Sequence, residues 1–184
     1  MTLGEALLQK GQFREALQAF TSAGRLQPKA STPFLGAGQA QLSLGNNAGA
    51  LAQFNKALQI EPRLTPALLG VAQIFQTGGK TTQATSFYER VLADNPDHPV
   101  ALNNLAQLYA DQGNNLYRAL EMARRAAARN PNNGSILDTL AWVCYRVGYR
   151  REALSYAKRA AELSPQNQTI AAHLQKIQAS AVGR

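Results

Sequence analysis

The chain has 184 residues, 45% of them apolar, and its formal charge of +8 comes from 19 Lys and Arg against 11 Asp and Glu. That apolar content suffices for a continuous buried core. One cysteine, Cys144, excludes an internal disulfide and gives no sign of a metal cluster. No run of 18 apolar residues and no basic-then-apolar leader occurs, so neither a signal peptide nor a membrane span is expected, and cytoplasm and periplasm both stay open.

Taken in order, the chain repeats itself. Glycines at Gly11, Gly45, Gly79, Gly113 and Gly148 recur at intervals of 34, 34, 34 and 35, and prolines at Pro28, Pro62, Pro96, Pro131 and Pro165 at 34, 34, 35 and 34. Chance does not place two such ladders in phase. Apolar residues at spacings of three and four flank each glycine, as in Leu102, Leu105, Ala106 and Tyr109, so each unit predicts two amphipathic helices joined by a turn. Small residues mark where those helices cross closely: Ala16, Ala50, Ala84, Ala119 and Ala153 after each glycine, with Gly4, Gly38, Ala72, Ala106 and Ala141 before it. Phe20, Phe54 and Tyr88 are expected to fill the grooves beside them. Ala123 and Ala157 stand where these aromatics would be, and are expected to loosen local packing.

The first repeat is under way at Met1 without an opening turn and runs to about residue 30. This reads as a cut edge, with further repeats or a partner expected before it. The following repeats span 31–64, 65–98, 99–133 and 134–167. The extra residue of the fourth lies between Gly113 and Ala119, in a turn that absorbs it without rotating a helix face. A final helix, 168–181, carries Ile170, Leu174 and Ile177 on one face and reads as a solvating cap for a single domain covering the chain.

This pattern resembles the tetratricopeptide repeat, a 34-residue helix-turn-helix with an Ala-x3-Phe step and a closing proline, matched by Ala16 to Phe20, Ala50 to Phe54 and Ala84 to Tyr88. It departs in having Phe34, Leu68, Leu102 and Leu137 where the family places tryptophan, and Gln41 where Phe75 or Tyr109 is large and apolar. The resemblance implies an all-α, right-handed superhelix, an α-solenoid of about five hairpins plus the cap helix. It implies a non-enzymatic scaffold that binds a peptide or protein segment on the concave face, which the first helices line.

Polar residues on those first helices are therefore the candidate contacts: Gln39, Gln73, Asn103, Asn104 and Gln107, with Asp138, Trp142, Tyr145 and Arg146. Amides donate and accept, so a ladder of them pairs with an extended backbone, and an exposed Trp142 with Tyr145 would add an anchor. Trp142 filling the gap against the terminal helix is the competing reading. Chaperone-binding relatives clamp a terminal carboxylate with Lys, Arg and Asn; here Leu35, Gly36, Leu69 and Gly70 occupy the corresponding sites, which disfavours that ligand.

The charge is uneven, with 8 basic and 7 acidic residues in 1–113 but 9 and 4 in 114–163. Arg124, Arg125, Arg129, Arg150, Arg151, Lys158 and Arg159 fall on second helices or their entry turns and form a candidate basic surface for nucleic acid or lipid head groups. A solvated face, with Arg151 or Arg159 paired to Glu152 or Glu162, is preferred, because no aromatic stacking pattern accompanies it. Self-association through the open first repeat is the remaining alternative. No catalytic residue, cofactor site or metal site is expected: His98 and His173 lie far apart, Cys144 falls in an apolar column, and no phosphate-binding loop or His-Glu-x-x-His is present. Similar repeat blocks occur in bacterial pilus-assembly and exopolysaccharide-export proteins, whose manner the NNLA and DTLAW openings share.

Overall fold

The structure, a computed structural model, describes residues 2–182. Among the described residues there are eleven α-helices and no strand. They gather into two compact units, one ending at Asp94 and one beginning at Asn95. The first holds α1 (Leu3–Gln9), α2 (Phe13–Leu26), α3 (Ser31–Ser43), α4 (Asn47–Ile60), α5 (Thr65–Thr77) and α6 (Thr81–Asp94). The second holds α7 (Pro99–Gln112), α8 (Leu116–Arg129), α9 (Gly134–Val147), α10 (Arg150–Leu163) and α11 (Gln168–Val182). Each is a run of helical hairpins, and in each unit consecutive helices pack on one another.

Two kinds of turn punctuate every repeat, as the two ladders predict. The ladder glycines all adopt left-handed backbone, with φ from +70° to +98°. The residue after each then donates its N–H to the carbonyl five positions back: Gln12 to Leu7 and Lys80 to Phe75 in the first unit, Tyr149 to Cys144 at 2.8 Å in the second. This bond satisfies a carbonyl that the helix end leaves without an intrahelical partner. At the proline turns the chain reverses over Pro28 with Ala30 donating to Gln27, and the same bond recurs from Leu64 to Glu61 and from Asn167 to Ser164. The extra residue of the fourth repeat sits where expected. Gly113 and Asn115 both take left-handed backbone, at φ +72° and +48°, so the turn lengthens while α8 keeps its register.

Packing differs between the units. In the first, an aromatic ring on a second helix presses onto backbone that has no side chain. A Cβ added at Gly36 would stand 2.4 Å from the Phe20 ring, and one at Gly4 2.6 Å; Gly38 and Gly70 hold Phe54 in the same way, each at 2.5 Å. Such approach is possible only where glycine removes the Cβ. Tyr88 is likewise fully buried, and its hydroxyl donates to Gln76 Oε1 at 2.7 Å.

In the second unit Ala123 and Ala157 occupy the aromatic position and are both fully buried. The repeat position of Gly36 and Gly70 is filled there by Thr139, also buried. Bulk has moved from the second helices to the first, where Leu102, Leu105, Leu140 and Val143 form the core, closed by Ile170 and Ile177 of α11. A slot of about 420 Å³ between α8, α9 and α10 is lined by Ala127, Leu137, Leu140 and Tyr156.

Candidate functional site

Within the second unit the first helices α7 and α9, followed by α11, present one polar column at a spacing of 35 residues: Asn103, Asp138 and His173. Beside it runs a second column, Gln107 and Trp142, and Asp111 lies one turn beyond Gln107 on α7. The period that builds the framework thus also stacks side chains of matching repeat position on neighbouring helices. All of these but Trp142 line a groove of about 470 Å³, whose further walls are Ser135, Asn167 and Thr169.

The column is knit together by short bonds. His173 Nδ1 lies 2.8 Å from Asp138 Oδ2, and the ring stacks on Trp142 with centroids 4.5 Å apart and planes 13° from parallel. Trp142 Nε1–H and Gln107 Nε2–H both donate to Asp111 Oδ1, each at 2.9 Å. Asn103 Nδ2–H donates to Asn104 Oδ1 at 3.1 Å. Tyr145 packs against the indole at 5.4 Å, with the Lys176 ammonium 4.9 Å and the Arg146 guanidinium 5.9 Å from its ring centre. Two oxygens are left over: Asn103 Oδ1 and Asp138 Oδ1 are buried without a hydrogen-bond partner. An orphaned buried acceptor costs the desolvation of that atom, so two at one groove call for an explanation.

The groove thus brings together Asn103, Gln107 and Asp138 of the expected contacts, with Asn104, Trp142, Tyr145 and Arg146 around them. Trp142 does not stand exposed as an anchor. It is 8% accessible, because α11 covers it with His173 and Lys176. Nor is α11 only a solvating cap, since His173, placed on its polar side, turns inward onto Asp138. Gln39 on α3 and Gln73 on α5 are exposed on the first unit. Sequence reasoning missed Asp111 and His173; the signal for His173 was the 35-residue step continuing from Asp138 into the last helix.

The basic residues are largely paired. Arg125 donates to Asp97 Oδ1 at 2.7 Å and to the Pro96 carbonyl at 2.6 Å, while Arg129 reaches Asp97 Oδ2 at 2.6 Å. The Arg125 bond holds the Asp97 carboxyl below its ordinary pKa and raises that of Arg125 in return. Arg159 pairs with Glu162 at 3.0 Å as expected, but Glu152 pairs across to Arg124 on α8, at 2.9 Å, rather than with its neighbour Arg151. Arg150, Arg151 and Lys158 stand exposed outside these pairings. Cys144 is fully buried, and burial pushes its thiol up to about 11, which suits a packing role rather than a nucleophile. His98 caps α7, its Nδ1 accepting the Ala101 N–H at 3.4 Å. Among the described residues no group of three His, Cys, Asp or Glu could hold a metal ion, and no helix is long and apolar enough to cross a membrane.

Comparison with known proteins places this architecture. Two family models described as tetratricopeptide repeat match residues 1–65 and 77–143. No curated protein sequence matches the chain. Among solved structures, MamA from Desulfovibrio magneticus is similar at 21% identity and a TM-score of 0.75, over 90% of this chain and 93% of that one. A tetratricopeptide repeat protein from Parabacteroides merdae aligns at 19% identity and 0.79, over 97% and 70%. YrrB, described as having an unusual peptide-binding site, aligns at 19% and 0.72, over 94% and 88%. These similarities show the fold, all-α and built of repeated helical hairpins. With its matched repeats, its ladder of turn glycines and its small-to-large helix crossings, the chain belongs to the tetratricopeptide repeat family.

Proposed function

We propose that the protein is a non-enzymatic interaction scaffold that holds an extended segment of a partner protein in the groove of α7, α9 and α11. The observation that carries this reading is the pair of orphaned acceptors, Asn103 Oδ1 and Asp138 Oδ1, beside half-buried amides in a groove of about 470 Å³. A backbone N–H laid along the groove gives those acceptors donors, and the fold's use for peptide binding in YrrB supports the same reading. The test compares partners captured from the source cell by the wild type and by an Asn103→Ala, Gln107→Ala double variant of unchanged melting temperature. Loss of a specific partner is expected; identical partner sets would refute it. Trp142 is left intact because its burial would confound folding with binding. The captured proteins would also name the assembly served, pilus or exopolysaccharide machinery being the candidates from sequence.

One observation favours self-association as a second reading. Leu3 and Leu26 are 71% and 83% exposed beside an apolar groove of about 700 Å³ on α1, α2 and the start of α3. Exposed apolar surface of this kind marks contact sites. Mass that rises with concentration in sedimentation, and falls back in Leu26→Glu, is the expected result.

A further inference from the structure

We propose that the groove of the second unit selects a cationic side chain, a lysine ammonium or arginine guanidinium, carried by the bound segment. This rests on the groove being the binding site. Along its polar column hydrogen bonds turn donors toward neighbours: Gln107 and Trp142 to Asp111, Asn103 to Asn104, and the Thr139 hydroxyl to the Ser135 carbonyl at 3.2 Å. The buried groups left unsatisfied there are acceptors. Asp138 is 6% accessible, and His173 engages only one of its two oxygens. The other oxygen, like Asn103 Oδ1 at the matching position one repeat earlier, is buried without a partner on a residue that lines the groove.

An anionic group entering here meets the Asp138 carboxylate, whose charge repels it. A neutral amide N–H satisfies one acceptor. An ammonium carries three donors and a guanidinium five, so either has donors enough for more than one acceptor and gains charge assistance from Asp138. The terminal torsions of Asn and Asp are soft, so these oxygens can turn toward an entering donor. Lys176 and Arg146 do not fill this role. Both lie over Trp142, and Arg146 Nη1 turns to the Asp111 backbone carbonyl at 3.5 Å. The basic residues of α8 and α10 are engaged elsewhere or belong to the second helices. The surface of this unit is basic, yet the groove recognises positive charge, the reverse of the carboxylate clamp that the first helices lack.

The experiment measures binding of fluorescent nine-residue peptide libraries, random except for a central residue fixed as Lys, Arg, Gln or Glu. The full chain is titrated in each by anisotropy at moderate salt. The Lys and Arg libraries are expected to bind about tenfold or more tighter than Gln, with Glu weakest. Asp138→Asn, of nearly the same shape, is expected to bring Lys to within about twofold of Gln. Should Asp138→Asn fail to fold, Asn103→Ala on the half-buried face of α7 serves instead, and loss of most of the Lys preference is expected. Equal binding of Lys and Gln libraries, abolished by Asn103→Ala with Gln107→Ala, would overturn the charge preference while leaving the groove as the binding site. Binding of no library, or binding indifferent to every groove variant, would overturn both. A preference for Glu would overturn the proposal outright.

Discussion

In the first unit the second helices supply bulk and the first helices retreat, Phe20 and Phe54 pressing onto Gly36, Gly38 and Gly70; in the second, Ala123 and Ala157 retreat and the first helices fill the space. The exchange has a functional side. First helices that are glycine-lined to admit a ring carry no charged residue on α3 or α5, whereas α7 carries Asp111 and α9 carries Asp138 and Arg146. A junction between repeats is inverted as well. Arg63 pairs with Asp94 at 3.1 Å in the first unit, and the same two repeat positions hold Asp97 and Arg129 in the second, with the signs exchanged. One hairpin framework therefore tolerates opposite assignments of size and of charge, provided both members of a pair change together.

The largest break in the comparison comes from removing the aromatic. Phe54→Ala leaves a cavity between two glycines that cannot fill it, and should cost about 3–5 kcal/mol in chemical denaturation. Rebuilding the second unit's solution inside the first sharpens the point. Gly36→Thr alone should cost about 1–3 kcal/mol from overpacking against Phe20. Combined with Phe20→Ala, the two losses should fall short of their sum by about 1 kcal/mol or more in a double-mutant cycle. Strict additivity would show that the units do not trade bulk pairwise.

Within the groove, Trp142→Phe keeps an aromatic stack on His173 but removes the N–H bond to Asp111, and should cost about 1 kcal/mol by the same measurement. The smallest effect tests the inverted junction. Because the folded-state pKa of Asp97 is lowered by its bond to Arg125, its contribution is fully present above the ordinary value of 3.8 and is lost as pH falls through the lowered one. The melting-temperature gap between wild type and Asp97→Asn should therefore be open at neutral pH and close in acid. A gap that persists at the lowest pH would assign it to packing instead.

Most of the framework is legible in the sequence because it rests on local, strictly periodic demands. Left-handed backbone at Gly11, Gly45 and Gly79 needs glycine, prolines stop helices, and an Ala-to-Phe step implies a helix crossing. The site was legible only where it shared that period. Asn103 and Gln107 could be placed on first helices by counting, but the accessibility of Trp142 depends on how α11 lies across α9, which no local pattern states. His173 was hidden for the same reason: a polar residue on a terminal helix looks solvated until its neighbour is known to be Asp138. Glu152 shows the limit for charges, since Arg124, distant in the chain but on the adjacent helix, outcompetes Arg151.

The stack of Trp142 on His173 has a practical consequence. The chain contains a single tryptophan, and that residue backs two residues of the polar groove, its ring against the His173 imidazole and its N–H on the Asp111 carboxylate. Tryptophan emission from the whole protein is therefore a signal from one place. A guest that shifts Asp111 or His173 alters the polarity felt by the indole, so occupancy can be followed in unlabelled protein by its tryptophan fluorescence, excited selectively over the tyrosines.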